Sequence, residues 1–186
     1  MSGKMIVICA PSGTGKSTLI SRLKGDHPEL EWSVSCTTRP MRAGEVNGKD
    51  YHFIPKEEFE KQIKDGQFIE WAKVHSNYYG TSKIFVDQGL QYGHIMLFDL
   101  DVQGADAMKK IYGKEAHVIF IEPPSIEELE NRLRIRRTDA DHVITESISN
   151  ARIELARKKD FDFLILNDDV DKAYQSLKAA VERILK

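Results

Sequence analysis

Long apolar runs, an excess of charge of either sign and a cysteine framework are all missing from this chain. No uninterrupted apolar segment approaches the roughly 20 residues that a membrane-spanning helix needs. The formal net charge is −2 over 186 residues, which gives no reason to expect binding to nucleic acid or to a membrane surface. The two cysteines, Cys9 and Cys36, lack the spacing of metal ligands, which favours reduced thiols packed in a core.

The beginning of the chain leads directly into an apolar strand and leaves no room for a signal peptide. Internal repeats and low-complexity segments are also absent from the sequence. Together with the ordinary charge and cysteine content, these features predict a soluble, cytoplasmic protein.

Strand-like and helix-like patterns alternate along most of the chain. Continuous apolar runs typical of strands buried on both faces occupy residues 5–10, 94–99, 116–121 and 161–166. Helical patterns lie between or after them, at residues 16–24, 104–112 and 171–185, and Ser125 is placed as an N-cap of another helix. The alternation predicts an α/β fold in which helices flank a parallel sheet.

Two regions interrupt this alternation. Residues 36–84 contain short aromatic runs and many polar residues, which indicates a small, mostly antiparallel insertion with one helix near residues 56–64. Residues 134–141 are dense in arginine and polar residues. We therefore predict a core formed by residues 1–35, 85–133 and 148–186, an inserted mixed α/β subdomain at 36–84, and a short arginine-rich lid at 134–147.

The segment at residues 10–17, Ala-Pro-Ser-Gly-Thr-Gly-Lys-Ser, follows the first strand and opens a helix. Gly13 and Gly15 permit a backbone that turns several N–H groups toward the positive end of that helix. Lys16 adds a positive charge for the outer phosphates, and the Ser17 hydroxyl is placed to ligate Mg²⁺. This is a P-loop, although it begins with Ala10 where the consensus has glycine. The predicted triphosphate contacts are Ala10, Pro11, Ser12, Gly13, Thr14, Gly15, Lys16, Ser17 and Thr18.

A P-loop alone does not name the reaction. The guanine-reading motif Asn-Lys-x-Asp of GTP-hydrolysing switches is absent from the sequence. Four arginines, in contrast, lie within six positions late in the chain: Arg132, Arg134, Arg136 and Arg137. A charge run of this kind is usually a solvated face, but in small-molecule phosphotransferases such arginines close over the phosphates and exclude water.

Several further segments resemble the guanylate kinase family closely. They are residues 35–53 (Ser-Cys-Thr-Thr-Arg-Pro-Met-Arg-Ala-Gly-Glu-Val-Asn-Gly-Lys-Asp-Tyr-His-Phe), 68–71 (Phe-Ile-Glu-Trp), 77–81 (Asn-Tyr-Tyr-Gly-Thr), 99–104 (Asp-Leu-Asp-Val-Gln-Gly), 123–125 (Pro-Pro-Ser), 138–139 (Thr-Asp) and 167–169 (Asn-Asp-Asp). The resemblance covers nearly the whole chain. It implies a P-loop NTPase-type fold and transfer of the ATP γ-phosphoryl group to GMP, giving ADP and GDP, with Mg²⁺ as cofactor. Weaker use of dGMP is expected, because no residue identified here contacts the ribose 2′-hydroxyl.

The resemblance implies that four side chains hold the GMP phosphate: Arg39, Arg42, Tyr51 and Tyr79. The chemistry of these residues agrees, since Arg39 and Arg42 are three positions apart and guanidinium groups bind phosphate oxygens in a bidentate manner. The alternative is that the tyrosines pack in a sheet and the arginines lie on a solvated surface.

Guanine selection requires an acceptor for both N1–H and the 2-amino group, which the carboxylate of Glu70 provides at the matching family position. Ser35 and Thr81 can donate to O6, and Asp101 completes the amino-group contacts. Adenine presents an acceptor at N1 and has no 2-amino group, so its binding leaves buried polar groups unpaired, which discriminates by about 10⁴ or more. The full predicted GMP site is Ser35, Arg39, Arg42, Tyr51, Glu70, Tyr79, Gly80, Thr81, Asp99 and Asp101.

The resemblance also places Asp99 at the end of a buried strand, where it either orients Mg²⁺ through water or positions Arg39. It places Asn167 and Asp168 near the ATP adenine, although Asn-Asp-Asp after a strand is also an ordinary turn. We predict in-line transfer without a covalent intermediate, with these catalytic residues: Lys16, Arg39, Asp99, Arg132, Arg136 and Arg137.

One position departs from the family pattern. The family usually has another phosphate-directed arginine early in the helix after the lid, and Ser147 stands there in this chain. Arg152 is five residues later and therefore points to a different face of that helix. Arg137, where the family often has glycine, is the better replacement.

Two alternatives remain at this point. Guanylate-kinase-like domains of scaffolding proteins bind phosphopeptides without catalysis, but they typically lack the P-loop lysine that this chain has as Lys16. A kinase for a related nucleotide, such as dGMP or IMP, is the other alternative. Oligomeric state, rate constants, donor preference, regulation and the extent of domain closure are not predicted from the sequence.

Overall fold

The computed structural model of the chain describes residues 3–74, 76–136 and 141–186, with only the backbone described at Val74 and Arg136. The strands in these ranges are β1 (Lys4–Cys9), β2 (Glu31–Trp32), β3 (Cys36–Thr37), β4 (His52–Phe53), β5 (Phe68–Val74), β6 (Asn77–Ser82), β7 (Ile95–Leu100), β8 (Ala116–Glu122) and β9 (Phe163–Leu166). The helices are α1 (Lys16–Asp26), α2 (Lys56–Lys64), α3 (Lys83–Gln91), α4 (Val102–Tyr112), α5 (Ile126–Arg136), α6 (Asp141–Ala156) and α7 (Val170–Leu185). In these three ranges, no helix combines the length and the apolar content that crossing a bilayer requires.

Five of the strands form a parallel sheet in the order β2-β7-β1-β8-β9. β1 lies in the middle, and its last residue, Cys9, is opposite Leu100 of β7 and Phe120 of β8. The carboxyl ends of the three central strands therefore lie together at one edge of the sheet, where ligands bind in folds of this type.

Helices cover both faces of this sheet. Ile6 and Ile8 of β1 pack in an apolar cluster with residues of α1 and α7, whereas Met5 and Val7 pack in a second cluster with residues of α3 and α4. Alternate residues of a strand point to opposite faces of the sheet. Because helices cover both faces, all four side chains are fully buried. The predicted α/β class and parallel sheet are confirmed.

The second sheet is built from residues between α1 and α3, in the order β4-β3-β6-β5. Two of its three strand pairs are antiparallel, and β3 and β4 are parallel. α2 packs on this sheet through Phe59, whose ring lies 4.2 Å from that of Phe68 and 5.3 Å from that of Tyr78. The predicted helix at 56–64 is found, and the sheet is mostly antiparallel as expected of the insertion, with β3 and β4 as its one parallel pair in the described residues.

The segment predicted as a lid, residues 134–147, includes the end of α5 and the beginning of α6. They share an apolar cluster of Leu129 and Leu133 from α5 with Ile144, Ile148 and Ala151 from α6. α5 continues to Arg136, so residues 134–136 belong to this helix pair. Apolar packing between α5 and α6 thus sets the position of the arginines that precede residue 137.

Candidate nucleotide-binding site

The P-loop requires glycine at the two positions predicted from its sequence. Gly13 and Gly15 have φ values of 87° and 94°, in the left-handed region that other residues rarely adopt. Thr14 is buried between them, and its hydroxyl donates to the carbonyl of Pro11 at 2.7 Å. α1 begins at Lys16, so the N–H groups of its first turn face the loop and form a site for anions.

Side-chain hydrogen bonds from α5 and from the residue after β9 stabilise the P-loop backbone. Asn167, which is 5% exposed, donates from Nδ2 to the Thr14 carbonyl at 2.7 Å. A side chain at Gly15 would lie 2.6 Å from the same nitrogen, so this close approach also requires glycine. Arg132 donates to the carbonyls of Thr14 and Asn167 at 3.4 and 3.2 Å, and its Nε donates to Glu128 at 2.9 Å. In this structure Arg132 and Asn167 therefore hold the loop backbone.

A cavity of about 360 Å³ opens above the P-loop. We call it the donor cavity; it is lined by Ala10, Pro11, Ser12, Gly13, Thr14, Gly15, Lys16, Ser17, Asp101, Ser147, Asn150 and Glu154. Eight of the nine predicted triphosphate contacts line it, and Thr18 does not. The predicted neighbours of the adenine, Asn167 and Asp168, do not line it either. No sequence pattern pointed to Asn150 or Glu154, because α6 reaches the cavity only through its packing on α5.

Lys16 is held by the end of the neighbouring strand. Its Nζ donates to the Asp99 carboxylate and, at 2.9 Å, to the carbonyl of Leu100. β1 and β7 are adjacent and in register, which brings the P-loop after β1 beside the last residues of β7. Asp99 is thus the counter-ion of the P-loop lysine in this structure.

Two further cavities lie next to each other between the two sheets. Their volumes are about 180 and 260 Å³, and they share Ser35, Tyr51, Asp99 and Leu100 as lining residues. We call this pair the acceptor cavity. Its lining contains eight of the ten predicted GMP residues: Ser35, Tyr51, Glu70, Tyr79, Gly80, Thr81, Asp99 and Asp101. Asp101 lines the donor cavity as well, so the two cavities meet at this residue.

Glu70 is the most enclosed acid of the acceptor cavity. Burial raises the pKa of its carboxyl above the usual value, and Asp101 adds to that effect, while a hydrogen bond from Thr81 opposes it. The Thr81 hydroxyl donates to Glu70 at 2.5 Å, so in this structure it is engaged by the carboxylate rather than free for a base. Asp101 is itself the N-cap of α4 and accepts from the Gly104 N–H at 2.7 Å.

Arg39 pairs with a residue that the sequence reasoning did not select. Its Nη1 and Nη2 donate to the two oxygens of Glu45 at 2.9 and 2.7 Å, and the guanidinium lies 5.4 Å from the ring centroid of Tyr51. Two roles were predicted for Asp99, and in this structure Glu45, not Asp99, pairs with Arg39, while Asp99 pairs with Lys16. The nearest signal was the spacing of Glu45, six residues after Arg39 in the same loop. Arg42 is exposed nearby and contributes its backbone N–H to Glu45.

The remaining predicted residues have simpler outcomes. Asp168 is exposed and accepts from the N–H of Asp169. Arg136 is described by its backbone at the end of α5, and Arg137 lies outside the described residues. Ser147, where the family arginine is missing, lines the donor cavity.

Magnesium fits the oxygen donors at the junction of the cavities. The Ser17 hydroxyl lies at the start of α1, and the Asp99 carboxylate lies beside Lys16. Across the part of the chain that is described, no three His, Cys, Asp or Glu side chains cluster as a self-contained metal site. A few oxygen ligands next to phosphate are the usual environment of Mg²⁺, which keeps several waters.

Comparison with known proteins gives a consistent assignment. The family model described as guanylate kinase matches residues 2–184. The guanylate kinase of Nitratidesulfovibrio vulgaris is 48% identical over 179 residues, which is 96% of this chain and 86% of that protein. The guanylate kinase of Chlorobaculum tepidum is 42% identical over 183 residues, or 98% of this chain and 94% of that protein.

Solved structures agree. The crystal structure of guanylate kinase from Anaplasma phagocytophilum is similar with a TM-score of 0.67 and 28% identity, covering 98% of this chain and 86% of that chain. A gluconokinase from Sinorhizobium meliloti matches with a TM-score of 0.52 and 12% identity over 98% of this chain and 93% of its own, a likeness of fold alone. With a family model that spans almost every residue and relatives above 40% identity, this chain belongs to the guanylate kinase family.

Proposed function

We propose that this enzyme transfers the γ-phosphoryl group of ATP to GMP and releases ADP and GDP. The observation that carries the proposal is the junction of a P-loop cavity with a cavity that contains a half-buried carboxylate, Glu70. Asp101, directly after β7, lines both cavities, and Asp99 lines the acceptor cavity while pairing with Lys16 of the P-loop. A coupled assay for ADP formation tests the proposal, since it requires a rate with ATP and GMP together and none when GMP is omitted.

On the donor side, the P-loop N–H groups and Lys16 bind the β- and γ-phosphates. Lys16 exchanges its pairing with Asp99 for the phosphate oxygens when ATP enters, so the carboxylate is released toward the junction of the cavities. Mg²⁺, when bound by Ser17 and Asp99 through water, supplies charge neutralisation between the phosphates. No residue of the cleft is required as a nucleophile, because the acceptor phosphate attacks directly and binding energy holds the two substrates in line.

On the acceptor side, Arg39, Arg42, Tyr51 and Tyr79 hold the GMP phosphate. The rings of Tyr51 and Tyr79 lie 5.9 Å apart, edge to face, and Arg39 lies against Tyr51, so three of the four groups are already assembled. Glu70 accepts hydrogen bonds from guanine N1–H and from the 2-amino group, and Asp101 accepts a further one from the 2-amino group. The hydroxyls of Ser35 and Thr81 donate to guanine O6. Gly80 allows β5 and β6 to pack closely beside the acceptor cavity, because a side chain there would lie 2.9 Å from the carbonyl of Glu70.

GMP affinity should decrease on acidification because of Glu70. The ionised carboxylate is the form that binds guanine, and burial raises its pKa in the free enzyme. Binding is therefore complete above that raised value and weakens as the pH falls through it toward the lower pKa of the bound state. Calorimetry between neutral pH and pH ~5 measures this, with the Glu70→Gln variant as the control for protonation of the GMP phosphate near pH ~6. Equal pH dependence in both proteins would contradict the assignment.

We propose that residues 36–84 form the unit that carries GMP, residues 1–35, 85–133 and 148–186 the core that carries ATP, and residues 134–147 the lid. Arg136, and Arg137 in place of the family arginine absent at Ser147, reach the phosphates when the lid closes. Arg132, which donates to the carbonyls of Thr14 and Asn167, supports the P-loop in addition to its expected role near the phosphates. Asn167 and Asp168 remain our proposed neighbours of the adenine. Asn167 also stabilises the P-loop through its hydrogen bond to the Thr14 carbonyl.

Replacing Arg137 with alanine should lower kcat by about ten- to a hundredfold, which is the loss expected for one charge-assisted hydrogen bond to the transferring group. Adding Ser147→Arg should restore part of that rate, because residue 147 lines the donor cavity. Arg152→Ala, on another face of α6, is the matched control and should leave kcat unchanged. A normal rate for Arg137→Ala beside a collapsed rate for Arg136→Ala would exclude this role for Arg137.

The phosphopeptide-binding alternative has no observation of its own in this structure, and the P-loop lysine with its cavity favours catalysis. Phosphopeptide binding together with no turnover of GMP would reverse that conclusion.

We also propose that the reaction takes place in the cytoplasm, in purine nucleotide recycling, since both cysteines are buried free thiols and both substrates are intracellular nucleotides. We propose no nucleic-acid and no membrane partner, in line with the net charge of −2.

A further inference from the structure

Glu45 lies at the centre of a hydrogen-bond network in the loop between β3 and β4. Its carboxylate accepts from Nη1 and Nη2 of Arg39 at 2.9 and 2.7 Å and from the backbone N–H of Arg42 at 2.7 Å. Its own N–H donates to the Arg42 carbonyl at 3.2 Å. The side chains of Arg39 and Glu45 are only 12% and 21% exposed. One carboxylate thus contacts both arginines that the acceptor phosphate needs.

The pairing uses one end of the guanidinium and leaves one edge free. Nη1 donates to Glu45 and also to the Pro40 carbonyl at 2.8 Å, and Nη2 donates to Glu45. In the described part of the chain, Nε of Arg39 donates to no protein acceptor. Nε and the second N–H of Nη2 form an edge that matches two phosphate oxygens in a bidentate contact.

Two aromatic rings also lie close to the guanidinium group of Arg39. Its carbon lies 5.4 Å from the ring centroid of Tyr51 and 5.5 Å from that of Phe53. The hydrogen bond to Glu45 is the main cause of the raised pKa of Arg39, and the Tyr79 hydroxyl contributes to it. Arg39 is therefore fixed in orientation before any substrate binds, by Glu45 at one end and by the rings of Tyr51 and Phe53 beside it.

We infer that Glu45 is a positioning residue for the acceptor phosphate, which holds Arg39 and the Arg42 loop in the binding geometry and stays paired with Arg39 when the phosphate arrives. This inference rests on the proposed function, because it takes a nucleoside monophosphate as the ligand. The alternative is a placeholder that occupies Arg39 in the empty site and is displaced by phosphate. Displacement would break three hydrogen bonds to the carboxylate and free the loop, whereas the open edge of Arg39 accommodates phosphate without any such loss.

The two roles predict opposite effects on affinity. Glu45 lowers the local positive charge, so its removal should strengthen phosphate binding if it is a placeholder. If Glu45 positions Arg39, GMP affinity should fall in the order wild type, Glu45→Gln, Glu45→Ala, since glutamine retains one acceptor for the guanidinium. We expect about a tenfold loss of GMP affinity in Glu45→Ala, the size of one charge-assisted hydrogen bond lost from the phosphate.

The test is calorimetric titration of each variant with GMP and with guanosine, combined with steady-state kinetics. Guanosine lacks the phosphate, so its affinity should stay within about twofold of wild type, and KM for GMP should rise while kcat at saturation changes little. Glu57→Ala, an exposed acid on α2 in the same subdomain, is the matched control and should have no effect on either ligand. In an Arg39→Lys background, Glu45→Ala should add little further loss, because the two residues act as one unit.

GMP binding that is unchanged or tighter in Glu45→Ala would overturn the inference in favour of the placeholder. Guanosine affinity that falls in step with GMP would also overturn it, since the loss would then come from the fold of the loop. Failure of the proposed function gives a separate result, in which the wild-type enzyme itself neither binds nor phosphorylates GMP.

Discussion

Replacing Lys16 with methionine should reduce kcat by about 10² to 10³, the usual cost of removing one preorganised donor from a developing charge. Methionine keeps much of the length and the apolar stem of lysine but removes the charge that reaches the β- and γ-phosphates. The structure adds a second consequence, because Asp99 then loses its partner and faces the donor phosphates uncompensated. KM for ATP should therefore increase together with the loss of kcat.

The matched control is Lys24→Met, at the other end of the same helix. Lys24 lies 3.5 Å above the ring centroid of Trp32, away from the P-loop, so its loss should leave both constants within about twofold. Initial rates at saturating GMP over a range of ATP concentrations measure both variants. A wild-type kcat for Lys16→Met would contradict the role given to the P-loop lysine, and with it the main distinction from a catalytically silent scaffold domain.

Replacing Glu70 with glutamine should lower kcat/KM for GMP by about 10² or more, with a much smaller effect on the binding of the phosphate itself. The carboxylate accepts from two donors of guanine, whereas the amide has one acceptor and presents an N–H₂ group to the other donor. An unpaired buried donor costs more than the hydrogen bond it replaces, which is why the loss is large for an isosteric change. The preference for GMP over AMP should fall accordingly.

Competition experiments separate the two halves of the acceptor site. Inhibition by a ribose 5-phosphate, which has the phosphate but no base, should be the same in Glu70→Gln and in the wild type. Glu60→Gln is the matched control, since this residue accepts from the Tyr78 hydroxyl at 3.2 Å within the same subdomain but lies outside the acceptor cavity lining. Full GMP selectivity in Glu70→Gln would contradict the assignment of guanine recognition to this carboxylate.

Local patterns predicted the parts of the fold that depend on neighbouring residues. The glycines of the P-loop have the positive φ values that its spacing demands. The Ser125 hydroxyl accepts from the N–H of Glu128 at 3.1 Å, as an N-cap does. α2 has its predicted bounds, since acids in its first turn and lysines in its last turn are favourable there.

Contacts between distant segments could not be predicted in the same way. The pairing of Lys16 with Asp99 joins residues 83 positions apart and depends on β1 and β7 being neighbours in the sheet. Asn167 supports the P-loop only because β9 and its following turn reach the other side of Thr14. Helix α3 was missed because its sequence, Lys83–Gln91, follows β6 without a turn residue and has only Val86 and Gly89 buried.

Glu45 is the clearest example of a functional residue that could not be predicted from the sequence. Sequence reasoning named both arginines of its loop and not the acid that pairs with them. Family resemblance identified the residues expected to touch substrate, whereas the residue that orients them has no such signature. Its carboxyl pKa is lowered to about 2, chiefly by the hydrogen bond from Arg39, so the carboxylate is charged at neutral pH. The structure was needed to distinguish a positioning acid from an ordinary loop residue.

The central claim is that one cleft brings an ATP phosphate and a GMP phosphate together so that the first is transferred to the second. Anion-exchange chromatography of the nucleotides after incubation of the enzyme with ATP, GMP and Mg²⁺ tests this most directly. The account predicts equal amounts of ADP and GDP, no free phosphate above the background, and no reaction when AMP replaces GMP. Formation of ADP and free phosphate without GDP, or equal phosphorylation of AMP and GMP, would contradict it.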